Sequence, residues 1–362
     1  MWGLIVIIAI ALIAAGIIAY RRIYGCSTAS LDERKASGLA IRTHTGRRGG
    51  VQHPRMAFLN TFSNIIFSDA ALTVDYFRAL LESNPQTRMI TGEPMPVDSI
   101  VDRTIPGPGG DIPIRIYTPA GPGPFPGIVY FHGGGWIAGS IASHENITTR
   151  LANHIPAVVV SVDYRLAPEH RFPAAFEDAY AATTWVAEHA ADLKIDPHWI
   201  ATAGDSAGGT LSTLVALQAR DHNGPHLAYQ IMLYPVTNCP LDTTSITEHA
   251  DQAALTADTM RFYRDQYLPD PDTWRDPHAS PLLVADLSNL PPALIITAEF
   301  DILRDEGELY GQRLHEAGVP VTVTRYLGVS HAFSSMLRYL PRHSRQSLEE
   351  VCAAVQSSYY DL

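Results

Sequence analysis

From residue 127 onward this chain repeats one pattern. Short, nearly continuous apolar runs stand at residues 127–131, 157–162, 199–203, 229–233, 293–298 and 319–326, with helical stretches between most of them. Such runs predict strands buried on both faces, and a series of them predicts a mostly parallel sheet with helices on either side. Crossovers in such a sheet are right-handed, and loops leaving the carboxyl ends of its strands gather where ligands bind. Ahead of the series, residues 100–105 and 112–117 flank a Pro-Gly-Pro-Gly-Gly-Asp turn, which reads as a hairpin. The fold class expected is α/β. No internal repeat or low-complexity tract interrupts it.

Four segments at the ends of these runs carry chemistry. Gly204-Asp205-Ser206-Ala207-Gly208 follows the run at 199–203 and precedes a predicted helix at 207–220. A serine between two glycines at a strand-to-helix turn is the geometry that exposes a nucleophilic hydroxyl. The next amide, that of Ala207, lies in the first turn of the helix, unpaired there and favoured by the helix dipole to face negative charge. His132-Gly133-Gly134-Gly135 follows the run ending at Phe131. Its glycines let the backbone approach a substrate carbonyl, so Gly133, Gly134, Gly135 and Ala207 are the candidate donors to a developing oxyanion, each worth about 3 kcal/mol of barrier. The His132 side chain reads as a brace for this loop.

A base and an acid complete the set. Of fifteen histidines, His331 is the one placed in a loop just past the last apolar run, within potential reach of the serine. Asp301 follows the run at 293–298 and is placed to orient His331 and to stabilise its imidazolium. Its rivals are Glu299, Asp305 and Asp205. Asp305 and Glu306 read as first-turn acids of the following helix, and the sharp turn directs Asp205 away. Serine, carboxylate and histidine in this order point to acyl transfer to water.

The amino terminus differs. Residues 2–20 carry no charge and Arg21-Arg22 follow at once. Nineteen helical residues span roughly 28 Å, about the hydrocarbon thickness of a bilayer. No basic residue precedes the run and it is long for a cleaved signal, so it reads as an uncleaved single-pass anchor. Arg21, Arg22, Arg34 and Lys35 follow it, which places the large domain on the cytoplasmic side. The organisation expected is an anchor at 1–22, a polar linker at 23–50, a helical cap at 51–98 and a catalytic domain at 99–362, with 240–275 as a second cap segment. Phe58, Phe62 and Phe77 fall on the apolar faces of the cap helices. The formal net charge of −11 comes without a basic, aromatic-interleaved stripe, which excludes nucleic acid as the expected partner. Cys26, Cys239 and Cys352 are too far apart for a zinc site and odd in number, and no His-Glu-x-x-His occurs, so no metal is expected. Asn146-Ile147-Thr148 is a sequon of a kind common by chance.

With Ile112-Pro113-Ile114-Arg115-Ile116-Tyr117, Asp163-Tyr164-Arg165-Leu166-Ala167-Pro168-Glu169, Phe172-Pro173-Ala174-Ala175 and Arg304-Asp305-Glu306-Gly307 added to these segments, residues 97–331 resemble the bacterial hormone-sensitive-lipase-like esterases of the α/β-hydrolase superfamily. The resemblance implies an α/β-hydrolase fold with an eight-stranded, mostly parallel sheet and a largely N-terminal cap. It implies carboxylesterase activity on short- to medium-chain acyl esters without a cofactor. It implies Gly134, Gly135 and Ala207 as oxyanion donors with Gly133 adjacent, and a bracing role for the Tyr164–Glu169 stretch. Ile302 stands where relatives often have proline. The anchor is more similar to the membrane-anchored deacetylases of the superfamily, so an amide or acetyl-ester deacetylase remains an alternative. A non-catalytic receptor on the same fold is a third reading, against which the retained His331 stands.

Overall fold

A computed structural model describes residues 30–36, 39–45, 50–59, 72–83, 85–252 and 254–360. The strands are β1 (Ser30–Ala36), β2 (Leu39–Thr45), β3 (Ser99–Gly107), β4 (Gly110–Thr118), β5 (Phe125–Phe131), β6 (Val158–Val162), β7 (Ile195–Asp205), β8 (Tyr229–Leu233), β9 (Ala293–Phe300) and β10 (Val321–Ser330). The helices used below are α1 (Val74–Leu81), α2 (Pro85–Thr91), α3 (Glu145–His154), α4 (Ala174–Glu188), α5 (Ala207–Asp221), α6 (Thr244–Glu248), α7 (Ala257–Tyr267), α8 (Arg304–Glu316) and α9 (Pro341–Tyr360).

All ten strands form one sheet in the order β1-β2-β10-β9-β8-β7-β5-β6-β4-β3. From β2 to β6 every pair is parallel, and antiparallel pairs close both ends. Side chains alternate between the two faces along each strand. Val129 and Phe131 join one core with Leu211 and Val215 of α5 and Tyr310 and Leu314 of α8. Ile128 and Tyr130 join the other with Ile147 and Leu151 of α3 and Leu348 and Val351 of α9. The apolar runs were therefore strands covered on both faces, as their composition demands.

The sheet is larger than the eight strands expected. The expected eight are β3 to β10, and β1 and β2 extend them beyond β10. Residues 30–36 and 39–45 fall in the stretch expected to be a linker. Their charged composition masks the alternation Leu39, Ile41, Thr43, of which Leu39 and Thr43 are buried against the core. The expected anchor at 1–22 lies outside the described residues, as do Phe62 and its neighbours. Among the described residues no helix is long and apolar enough to cross a membrane.

Candidate active site

Ser206 sits between β7 and α5 with φ 54° and ψ −121°, a conformation that costs a non-glycine residue about 1–3 kcal/mol. Its surroundings enforce it. The Ser206 amide donates to the Leu233 carbonyl at 2.8 Å. A Cβ at Gly204 would lie 2.3 Å from the Gly208 backbone, and one at Gly208 would lie 1.9 Å from the Phe131 carbonyl oxygen. Only glycines allow strand, elbow and helix to approach this closely. Ser206 occupies the N-cap position of α5 but makes no capping bond there. Its Oγ lies instead 2.9 Å from His331 Nε2.

His331 follows β10 and Asp301 follows β9, adjacent parallel strands whose carboxyl ends lie together. His331 Nδ1 is 2.7 Å from Asp301 Oδ2, and Asp301 Oδ1 accepts the Leu303 amide at 3.0 Å. All three side chains are nearly buried, and the Tyr234 ring packs edge-on at 4.9 Å against His331. The structure thus brings Ser206, His331 and Asp301 into one line and puts the rival acids elsewhere. Asp305 accepts from Ser245 and Arg304. Glu299 accepts from backbone amides at Gly50 and Gly328. Glu306 is a first-turn acid as expected and is fully buried, with one oxygen accepting from the Thr237 and Asn238 amides and the other unpartnered. Burial pushes its carboxyl well above the ordinary carboxylate range.

The glycine loop contains one correction. The Gly133 amide donates to Asp205 Oδ1 at 3.1 Å, so it is not available to an oxyanion. A Cβ at Gly133 would also meet Asp205 Oδ2 at 2.5 Å. Gly134, at φ +123°, and Gly135, at φ +60°, turn away from this carboxylate. Among the described residues no hydrogen bond engages the amides of Gly134, Gly135 or Ala207. Asp205 was read as directed away from the histidine, and it is. It also accepts from the Tyr130 hydroxyl at 2.7 Å and faces His144 Nε2 at 3.3 Å. Burial alone would depress His144, but the Asp205 charge and hydrogen bond outweigh it and raise its pKa. Burial likewise opposes the Asp205 charge, yet His144 and Tyr130 hold its pKa below the usual value. His132 braces the loop as expected: Nδ1 meets the Gly133 carbonyl at 2.8 Å and the ring stacks on Tyr164 at 4.3 Å. Burial pushes His132 down to about 3, so it is neutral at physiological pH. Tyr164 donates from its hydroxyl to the His132 carbonyl at 2.6 Å, which is how that motif stiffens the loop.

Two segments lie over this loop. Phe77 of α1 packs on Tyr263 of α7 at 4.7 Å, and a Cβ at Gly135 would strike Tyr263 at 2.3 Å. Arg78 donates to the Ile137 carbonyl at 2.9 Å and the Ala167 carbonyl at 3.2 Å, and pairs with Glu169 at 2.6 Å. A cavity of about 70 Å³ lies against Arg88, Thr91 and His144, and neither the glycine loop nor Ser206 lines it. Among the described residues no cluster of three or more His, Cys, Asp or Glu could hold a metal ion. Sequence reasoning named Asp205 and Glu299 only as rivals of Asp301 and missed their partners, and Tyr234 altogether, because these contacts span large separations in the chain.

A protein family described as having the alpha/beta hydrolase fold matches residues 128–335. The carboxylic ester hydrolase LipN of Mycobacterium tuberculosis is 43% identical over 270 residues, covering 73% of this chain and 70% of that protein. The chain belongs to the hormone-sensitive-lipase-like α/β-hydrolases. An arylesterase of Saccharolobus solfataricus is 40% identical over 69% of this hydrolase and 81% of its own length. An esterase of Pyrobaculum calidifontis has a solved structure that superposes with a TM-score of 0.77 at 43% identity, over 84% of this chain and 98% of that one.

Proposed function

We propose that this hydrolase is a serine carboxylesterase of short- to medium-chain acyl esters, working through an acyl-enzyme on Ser206. His331 Nε2 takes the Ser206 proton as Oγ attacks the ester carbonyl carbon. The carbonyl electron pair moves onto oxygen, which the amides of Gly134, Gly135 and Ala207 receive. Collapse of this intermediate breaks the ester bond, and His331 gives its proton to the departing alkoxide, releasing the alcohol. Water then repeats the sequence on the acyl-enzyme, losing a proton to His331 as it attacks and regenerating Ser206 as the carboxylic acid leaves. Asp301 fixes the tautomer in which Nε2 is the acceptor and stabilises the imidazolium, remaining ionised throughout. The observation that carries this reading is the continuous contact from Ser206 Oγ through His331 to Asp301, at 2.9 and 2.7 Å.

Residues 2–20 complete the proposal: an uncharged span of bilayer length, followed by Arg21-Arg22, that tethers the domain on the cytoplasmic side. Protease protection in sealed vesicles tests it, and a domain shielded inside the lumen reverses the orientation. For the reaction, Ser206→Ala is expected to reduce turnover of p-nitrophenyl butyrate by about 10⁴- to 10⁶-fold. Activity near the parent level would remove Ser206 from the mechanism. A chain-length series of esters with matched amides separates the esterase from the deacetylase reading.

A further inference from the structure

The strand that delivers His331 is irregular just before it. Pairing of β10 with β9 shifts between Tyr326 and Ser330, and Gly328 within that gap has φ +79°. A backbone that leaves its ladder needs other partners for its N–H and C=O groups. The Gly328 amide donates to Glu299 Oε2 at 2.7 Å, and its carbonyl accepts the His53 amide at 2.6 Å. The other oxygen of Glu299 accepts the Gly50 amide at 2.6 Å. One carboxylate therefore joins the N-terminal segment to the loop that carries His331. The contact continues on both sides. Residues 41–44 of β2 pair with residues 323–326 of β10. The Tyr339 hydroxyl donates to the Arg55 carbonyl at 2.8 Å, and the Arg55 guanidinium donates to the Tyr339 carbonyl.

We infer that residues 50–55 are a latch on the His331 loop and that Glu299 is the positioning residue that fastens it. The inference rests on the proposed Ser206–His331–Asp301 chemistry. Glu299 stands two residues before Asp301 and Gly328 three before His331, so the clamp bears on both supports of the imidazole. Its function is to keep His331 in reach of Ser206 and Asp301 together, where a displacement of about 1 Å can cost about 100-fold in rate. Glu299 does not take part in the chemistry, so its loss should act on kcat and leave KM alone.

The test uses the full chain with Glu299→Ala, Glu299→Gln, His53→Pro and the Glu299→Ala/His53→Pro pair, beside Ser206→Ala. Glu299→Ala leaves the Gly50 and Gly328 amides without their acceptor, and an about tenfold fall in kcat at constant KM is expected. Glu299→Gln keeps one acceptor and should recover part of the loss; being nearly isosteric, it also serves should Glu299→Ala fail to fold. His53→Pro removes the amide that holds the Gly328 carbonyl and should lower kcat similarly. If both belong to one latch, the pair should be little worse than either alone. Losses that multiply, a rise in KM alone, or kcat within twofold of the parent in Glu299→Ala and Glu299→Gln would overturn the latch. Should Ser206→Ala stay active, the catalytic reading itself fails and takes the latch with it. An inactive Ser206→Ala beside fully active Glu299 variants defeats the latch alone.

Discussion

Ser206 is held mainly by residues beside it in the chain, whereas His331 is held by residues far away. The elbow is made by the glycines two positions to either side, whose missing side chains let β7 and α5 close against the Phe131 carbonyl. The histidine loop depends on Asp301, thirty residues earlier, on Tyr234, and on an N-terminal segment reached through Glu299. Local constraint leaves a motif, while distant constraint leaves only a carboxylate or tyrosine that resembles any other. The same contrast divides the glycine loop, where among the described residues the Gly134 and Gly135 amides carry no hydrogen bond but the Gly133 amide is captured by Asp205, 72 residues later.

The largest effect that sharpens this contrast is on the acid. Asp301→Asn should lower turnover by about 10⁴-fold, because the amide cannot enforce the required tautomer. Asp305→Asn should stay within about threefold of the parent, since its partners are Ser245 and Arg304. If Asp305→Asn were the severe change, the line through Asp301 would be wrong. Next comes a comparison of glycines by chemical denaturation. Gly208→Ala drives a methyl group into a backbone carbonyl and should cost about 4 kcal/mol or more. Gly328→Ala makes tight 3.3 Å approaches to the His53 amide and the Val51 carbonyl and takes an unfavourable φ, so about 1–3 kcal/mol is expected. Equal costs would deny that the elbow is the tighter of the two.

The smallest effect concerns Glu306. Its folded pKa is raised, so between the unfolded carboxylate pKa and the folded value the native state holds a proton that the unfolded chain has lost. Stability of the parent therefore falls as pH rises through that window. Glu306→Gln has no such proton, and its stability advantage should grow from pH 4 to pH 8. Melting curves that run parallel across this range would contradict a neutral Glu306.

These contrasts also explain what could be read in advance. The six apolar runs and the β3–β4 hairpin were legible because burial on both faces and turn chemistry are local patterns, and α5 because it follows the elbow motif. The elbow at Ser206 was legible because its flanking Gly204 and Gly208 are residue types the close approach of strand and helix demands. His331 and Asp301 could be chosen by their position at strand ends, without any sign of what holds them. Strand β1 was hidden because it is dominated by Asp32, Glu33, Arg34 and Lys35, and β2 because its alternation of Leu39, Ile41 and Thr43 is short and follows directly on that charged stretch. Glu306 was legible as a first-turn acid, but its burial was not, because nothing adjacent reveals that Thr237 and Asn238 donate to its oxygen.

Arg78 has a consequence for timing. It ties α1 to the carbonyl of Ile137, two residues beyond Gly135, and to the carbonyl of Ala167, whose amide in turn holds Trp136. A displacement of helix α1 would have to break these bonds or drag the backbone of the glycine loop with it. Under the proposed mechanism, any opening of α1 would therefore loosen the proposed oxyanion donors, and closing would restore them.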